Sequence, residues 1–191
     1  MEALWISTGV VALAEIGDKT QLLAFILAAR FKRPIPIVLG ILCATVVNHG
    51  LAGALGAWIT SVVNPEMMRW ALGLSFIGMA VWTLIPDKIE EEETQVAHRL
   101  GVFGATLVTF FLAEMGDKTQ LATVALAAHY AAPLMVVIGT TLGMLIADVP
   151  AVFVGNQFAS RIPMKLVHSI AAGIFAVMGV LTLLKVEKLF A

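Results

Sequence analysis

The stretch Ala14-Glu15-Ile16-Gly17-Asp18-Lys19-Thr20-Gln21-Leu22 returns later in the chain as Ala113-Glu114-Met115-Gly116-Asp117-Lys118-Thr119-Gln120-Leu121. Eight of the nine positions are identical, and both copies interrupt apolar runs. A charged side chain at membrane depth costs several kcal/mol on most scales. Two Glu, two Asp and two Lys at that depth therefore indicate a pathway for ions.

The composition predicts an all-α polytopic membrane protein. The 191 residues are 60 % hydrophobic and 13 % charged, whereas soluble domains are about 45 to 50 % apolar and about 25 % charged. We expect one transmembrane domain over residues 1–191. The net charge is −1 and the chain has no basic patch, so a nucleic-acid partner is not expected.

Apolar runs between charged or proline-marked breaks predict six transmembrane helices. Prolines at or near several of the predicted starts suit the first turn of a helix. The six helices are expected near residues 4–30, 34–60, 67–86, 101–129, 133–157 and 163–185.

A repeat extends beyond the duplicated motif. At an offset of 99 residues the matching pairs are Pro34 with Pro133, Gly40 with Gly139, and Gly56 with Gly155. This pattern predicts duplication of a three-helix unit, with repeat one at 1–86, an acidic cytoplasmic loop at 87–99 and repeat two at 100–191. Because three is odd, the second unit enters the membrane from the opposite side, so the halves are expected to be inverted repeats.

The distribution of Lys and Arg predicts the orientation. More of them follow the first, third and fifth helices than lie on the other face, so both termini are expected on the outer side. The cytoplasmic set is Arg30, Lys32, Arg33, Lys88, Arg99, Arg161 and Lys165, against Arg69, Lys185 and Lys188.

On a continuous helix, the acidic and amide residues of each motif share one face near the bilayer midplane. These oxygen ligands are Glu15, Asp18 and Gln21 in the first copy and Glu114, Asp117 and Gln120 in the second. Gly17 and Gly116 would permit close helix approach or local unwinding. Thr20 and Thr119 would reach a bound ion only if the helix unwinds.

The charge of this pocket predicts competition between metal and protons. Four carboxylates give −4, and Lys19 with Lys118 return the sum to −2, which one divalent cation would neutralise. Without the cation the carboxylates repel one another and are expected to take up protons as a coupled group. That competition is the basis of a cation/proton exchanger.

The second and fifth helices carry further candidates. His49 aligns with Asp148 at the 99-residue offset, and Asn48 is its neighbour. These three are candidate metal ligands, and Asp148 is also a candidate proton carrier. An imidazole ligand would favour Mn²⁺ over Ca²⁺. The alternative for His49 is a histidine hydrogen-bonded between helices.

The duplicated motif resembles that of a known family of small six-helix cation/proton exchangers with two E-x-G-D-[KR]-[ST] motifs, which includes Golgi calcium/manganese transporters and bacterial manganese exporters. The resemblance covers essentially the whole chain. It implies transport of Mn²⁺ or Ca²⁺ as substrate in exchange for H⁺, with no prosthetic group. It also implies motif positions Glu15, Gly17, Asp18, Lys19 and Thr20, and Glu114, Gly116, Asp117, Lys118 and Thr119. The short central loop and the absence of a targeting extension suggest a bacterial inner-membrane protein that exports manganese.

Several alternatives stay open at this point. The motif acids and lysines, such as Glu15 with Lys19, could form salt bridges that only hold the halves together. The alternative transporters are a Ca²⁺/H⁺ antiporter, a passive divalent-cation channel and an amino-acid exporter. The alternatives outside transport are an intramembrane hydrolase that uses Asp18 and Asp117, and a scaffold protein. A homodimer in the lipid bilayer is also open.

Overall fold

The computed structural model describes residues 1–85, 100–154 and 164–184, and these segments consist of helices joined by short turns, with no strand. They form eight helices. In chain order these are α1 Glu2–Glu15, α2 Lys19–Phe31, α3 Pro34–Val62, α4 Pro65–Thr83, α5 Gly101–Glu114, α6 Lys118–Tyr130, α7 Pro133–Val154 and α8 Met164–Leu184.

The prediction of continuous helices over 4–30 and 101–129 was wrong. Each is two helices, broken inside the motif at the same place in both copies. Ile16 and Met115 are extended, and the glycine that follows has positive φ, 85° at Gly17 and 76° at Gly116. The next helix then begins after Asp18 or Asp117. Because the helix is interrupted at this break, the acidic residues of each motif do not lie on one face of a continuous helix, as the sequence had predicted.

The other four predicted helices are present with boundaries shifted by a few residues within the described segments. By length and apolar composition, α3 and α7 are the two described helices clearly able to cross a membrane. The predicted acidic loop at 87–99, together with Lys88, Arg99, Gly155, Arg161, Lys185 and Lys188, lies outside the described residues.

Helices of one half pack against helices of the other at glycines. A Cβ on Gly40 of α3 would lie 2.7 Å from Thr106 Cβ of α5. A Cβ on Gly139 of α7 would lie 2.5 Å from the Leu4 carbonyl oxygen and 3.0 Å from Ser7 Cβ of α1. Ser7 and Thr106 are themselves 99 residues apart, so the two contacts are equivalent. The long helix of each half therefore lies directly against the motif-bearing segment of the other.

The remaining helices, α4 and α8, pack against each other on the side of the bundle. Gly73 of α4 faces Leu183, and Gly179 of α8 faces Ile77. Behind them, Phe76 and Phe175 stack with ring centroids 6.5 Å apart in a buried apolar cluster. Near the helix breaks, Gln21 of α2 contacts the Ala147 carbonyl of α7, and Asn48 of α3 contacts the Phe111 carbonyl of α5.

Candidate metal site between the helix breaks

The two breaks bring three acidic side chains together. One carboxylate oxygen from each of Glu15, Glu114 and Asp117 lies within 4.8 Å of the other two. Both glutamates are fully buried and Asp117 is 4 % exposed. Glu15 of the first half thus joins Glu114 and Asp117 of the second, 99 and 102 positions away, in one compact acidic group.

A threonine from the next helix holds each glutamate. Thr20 Oγ1 donates to Glu15 Oε2 at 2.6 Å, and Thr119 Oγ1 donates to Glu114 Oε2 at 3.0 Å. Five residues separate donor from acceptor, a spacing that an ideal helix does not bring together. The break makes the contact possible, and it gives both threonines a role as donors to the glutamates.

The second oxygen of each glutamate is differently placed. Within the described part of the chain, Glu15 Oε1 and Glu114 Oε1 are buried and have no hydrogen-bond donor. Buried polar atoms in proteins are nearly always paired. Because these two acceptor oxygens belong to the same acidic group, a bound cation or a proton would satisfy them.

The two lysines pair across the halves. Lys118 Nζ lies 3.1 Å from Asp18 Oδ2, and Lys19 Nζ lies 3.8 Å from Asp117 Oδ1. The i,i+4 pairing of Glu15 with Lys19 considered above is not the one observed, because the break removes the helical register. The crosswise pairs balance the two aspartates and leave the two glutamates as the uncompensated charges of the motifs.

The motif glutamines stabilise the breaks. Gln21 Oε1 accepts from Gly17 N–H at 3.0 Å, and Gln120 Oε1 accepts from Gly116 N–H at 2.7 Å. Gln21 Nε2 also donates to the Ala147 carbonyl of α7 at 2.9 Å. The amide oxygen of each glutamine thus accepts a hydrogen bond from the glycine of its own break.

The candidates on α3 and α7 are buried beside this group. Asp148 is fully buried, and neither of its oxygens has a hydrogen-bond partner among the described residues. It lies within electrostatic range of Glu15 and Glu114, whose negative charges it would repel. With both glutamates it raises the uncompensated charge to −3 when all three are ionised, which a divalent cation and one proton would balance.

His49 and Asn48 are also fully buried. The described residues offer neither ring nitrogen of His49 a hydrogen bond, so the alternative of a histidine bonded between helices is not what the structure shows. Asn48 Nδ2 donates to the Phe111 carbonyl of α5 at 3.1 Å, one turn before Glu114. His49 and Asp148 do not belong to the group of ligand atoms within 4.8 Å.

Sequence comparison identifies the family. The profile described as "Divalent cation/proton antiporter GDT1" matches residues 3–91 and 102–189. The chain belongs to the GDT1 family. Its members with similar sequences include a Vibrio cholerae protein named "Putative manganese exporter", 49 % identical over 183 residues that cover 95 % of this chain and 90 % of that protein.

Two more distant GDT1 relatives come from a plant and a cyanobacterium. GDT1-like protein 3 of Oryza sativa subsp. indica is 30 % identical over 91 % of this chain and 71 % of its own length. GDT1-like protein sll0615 of Synechocystis is 31 % identical over 90 % of this chain and 92 % of its own. No solved structure is significantly similar to the chain. The resemblance noted from the motif is confirmed, and the protein is a membrane transporter of a divalent cation/proton antiporter family.

Proposed function

We propose that the protein exports Mn²⁺ from the cytoplasm in exchange for H⁺ by alternating access. The observation that carries the proposal is the group formed by Glu15, Glu114 and Asp117, whose oxygens lie within 4.8 Å of one another between two helix breaks. Hard carboxylate oxygens at this spacing suit a divalent cation. Membership of an antiporter family supplies the reaction class.

In this proposal metal and protons compete for the same oxygens. The glutamate oxygens without donors bind the ion, and the crosswise lysines limit the negative charge that remains when it leaves. Asp148 is proposed to take up a proton when the ion departs, because its oxygens are buried and lack partners among the described residues. Release of metal and uptake of protons are thereby linked.

Two observations bear on which ion is carried. The compact acidic group contains only oxygen ligands, which suit Ca²⁺ and Mn²⁺ alike and keep a Ca²⁺/H⁺ antiporter as the second candidate. The name of the Vibrio relative favours manganese. His49 would add a nitrogen ligand if it enters the coordination shell in another state, and His49→Asp should then shift transport toward Ca²⁺.

The proposed membrane arrangement has six spans. Each broken pair, α1 with α2 and α5 with α6, is taken as one interrupted crossing, while α3, α4, α7 and α8 cross singly. Equivalent contacts of Gly40 and Gly139 and the two separate family matches support inverted repeats. Both termini are then outside the bacterial inner membrane, as the Lys and Arg distribution predicts.

The test is metal flux in proteoliposomes that contain the purified full-length protein. An imposed pH gradient should drive Mn²⁺ flux against its concentration gradient, and Glu15→Gln should reduce that flux to the level of empty vesicles. Glu2→Gln, an exposed acid at the start of α1, is the matched control. A metal flux that does not depend on the pH gradient would indicate a channel and would contradict the proposal.

A further inference from the structure

Asp18 and Asp117 occupy equivalent positions in the two motifs but are held differently. Asp18 Oδ1 accepts from its own helix at the Lys19 N–H, 2.8 Å away, and Oδ2 pairs with Lys118 at 3.1 Å. Both oxygens of Asp18 are therefore engaged in short contacts. Asp18 does not belong to the compact group of three carboxylates.

Asp117 is held more loosely and does belong to that group. Its Oδ1 lies 3.8 Å from Lys19 Nζ, and its Oδ2 lies 3.5 Å from Thr119 Oγ1. Its carboxylate does not cap α6 in the way that Asp18 caps α2. The two equivalent aspartates thus differ: Asp18 has a short lysine contact and caps its helix, whereas Asp117 has a longer lysine contact and lies with the glutamates.

The lysines show the same asymmetry. Lys118, which holds Asp18, is 2 % exposed, whereas Lys19, beside Asp117, is 18 % exposed. Lys19 is thus partly accessible, whereas Lys118 and both aspartates are buried.

We infer that Asp18 and Asp117 alternate as the third carboxylate ligand of the transported ion, while Glu15 and Glu114 bind it throughout. This rests on the proposed exchange function. In the state described here Asp117 faces the ion and Lys118 retains Asp18. In the opposite state Asp18 faces the ion and Lys19 retains Asp117, so the lysines act as positioning residues.

Physical symmetry supports such an exchange. The motifs are identical except at Ile16 and Met115, so swapping their conformations yields a state with the same contacts among the motif side chains. Each lysine stays near an aspartate in both states, and the number of carboxylates around the ion does not change. The exchange therefore avoids leaving an unpaired charge in the low-dielectric interior, which would be costly.

The experiment separates ion binding from transport in the purified full-length protein. Mn²⁺ affinity is measured in detergent and Mn²⁺ flux in proteoliposomes for the single variants Asp18→Asn, Asp117→Asn, Glu15→Gln and Glu114→Gln, and for the double aspartate variant. Each single substitution removes one negative charge, so charge alone predicts equal effects. Glu2→Gln and a monodisperse elution profile control for folding.

Alternation predicts an unequal result. Each single aspartate variant should keep Mn²⁺ affinity within about fivefold of the unmodified protein, because one of the two binding states survives, yet it should not transport. Each glutamate variant and the double aspartate variant should lose affinity by about tenfold or more.

Three outcomes would overturn the alternation. Equal losses of affinity in Asp18→Asn and Glu15→Gln would mean that all four carboxylates bind at once. Mn²⁺ transport by the Asp18→Asn variant would mean that Asp117 alone is sufficient for transport. Mn²⁺ transport by the Asp117→Asn variant would mean that Asp18 alone is sufficient. Failure of the proposed function is distinct, because the unmodified protein would then show no flux coupled to the pH gradient.

Discussion

The two carboxylate oxygens of Glu15 differ in their hydrogen bonding, and so do those of Glu114. One accepts from a threonine hydroxyl, and the other has no donor among the described residues. The hydrogen bond from the threonine limits the rotation of the carboxylate group. The second oxygen is thereby left available for an ion to bind. On the proposed function, a short hydroxyl side chain is therefore expected to contribute to metal affinity without contacting the metal.

Replacing Thr20 with Val should therefore weaken Mn²⁺ binding. A hydrogen bond to a charged group contributes about 1.5–3 kcal/mol, so its loss predicts about tenfold lower affinity or more. Isothermal titration of the purified protein measures this. Thr20→Ser should restore binding, and Thr109→Val is the matched control, because the buried Thr109 hydroxyl donates only to carbonyls of its own helix. Unchanged affinity in Thr20→Val would remove the positioning role.

At the scale of elements, the helix break determines the site. The extended residue, the glycine with positive φ and the aspartate at the next helix start recur identically in both halves. The break ends α1 and α5 at the glutamates and turns the chain before the lysines. Without it, Glu15 and Thr20 could not meet.

Gly116→Ala tests whether the break depends on glycine. A Cβ at Gly116 would meet nothing within 4 Å, so any effect comes from its φ of 76°. A left-handed conformation costs a non-glycine residue about 1–2 kcal/mol, and we expect a lower melting temperature and reduced Mn²⁺ flux. Gly9→Ala, in open space within α1, should be neutral or stabilising. A melting temperature equal to that of the unmodified protein would contradict the argument.

The carboxylates could be found from the sequence because acids in an apolar run are conspicuous in both copies. Gly17 and Gly116 were candidate points of unwinding, but the sequence could not choose between unwinding and close helix packing there, because a glycine in a helical pattern permits both. Continuous helices were the wrong expectation for that reason. The lysine–aspartate pairs could not be predicted either, because Lys19 and Asp117 become neighbours only through the fold. The spacing along the chain instead suggests a pair between Glu15 and Lys19.

At the scale of the whole molecule, the halves are joined by equivalent glycine contacts. Gly139 lets α7 approach the backbone of α1, and Gly40 lets α3 approach α5. Because α3 and α7 also carry His49 and Asp148, this packing sets the distance of those residues from the helix breaks. The inverted arrangement and the roles of His49 and Asp148 stay predictions.

Gly139→Ala should disturb this interface. Its Cβ would lie 2.5 Å from the Leu4 carbonyl oxygen, a backbone atom that cannot rotate away, and overpacking of this kind costs about 1–3 kcal/mol. We expect lower thermal stability and loss of Mn²⁺ flux. Gly50→Ala, which meets nothing within 4 Å in α3, is the control. Equal stability of the two variants would show that the interface is loose.

The crosswise lysine pairs bear on the ancestry of the protein. Lys19 pairs with an aspartate of the second half and Lys118 with an aspartate of the first, so each half supplies a counter-ion to the other. On the proposed inverted arrangement, an ancestral unit could have worked only beside a second copy inserted in the opposite direction. Fusion of the two genes would then have fixed each orientation and freed equivalent positions to diverge, as His49 and Asp148 have done.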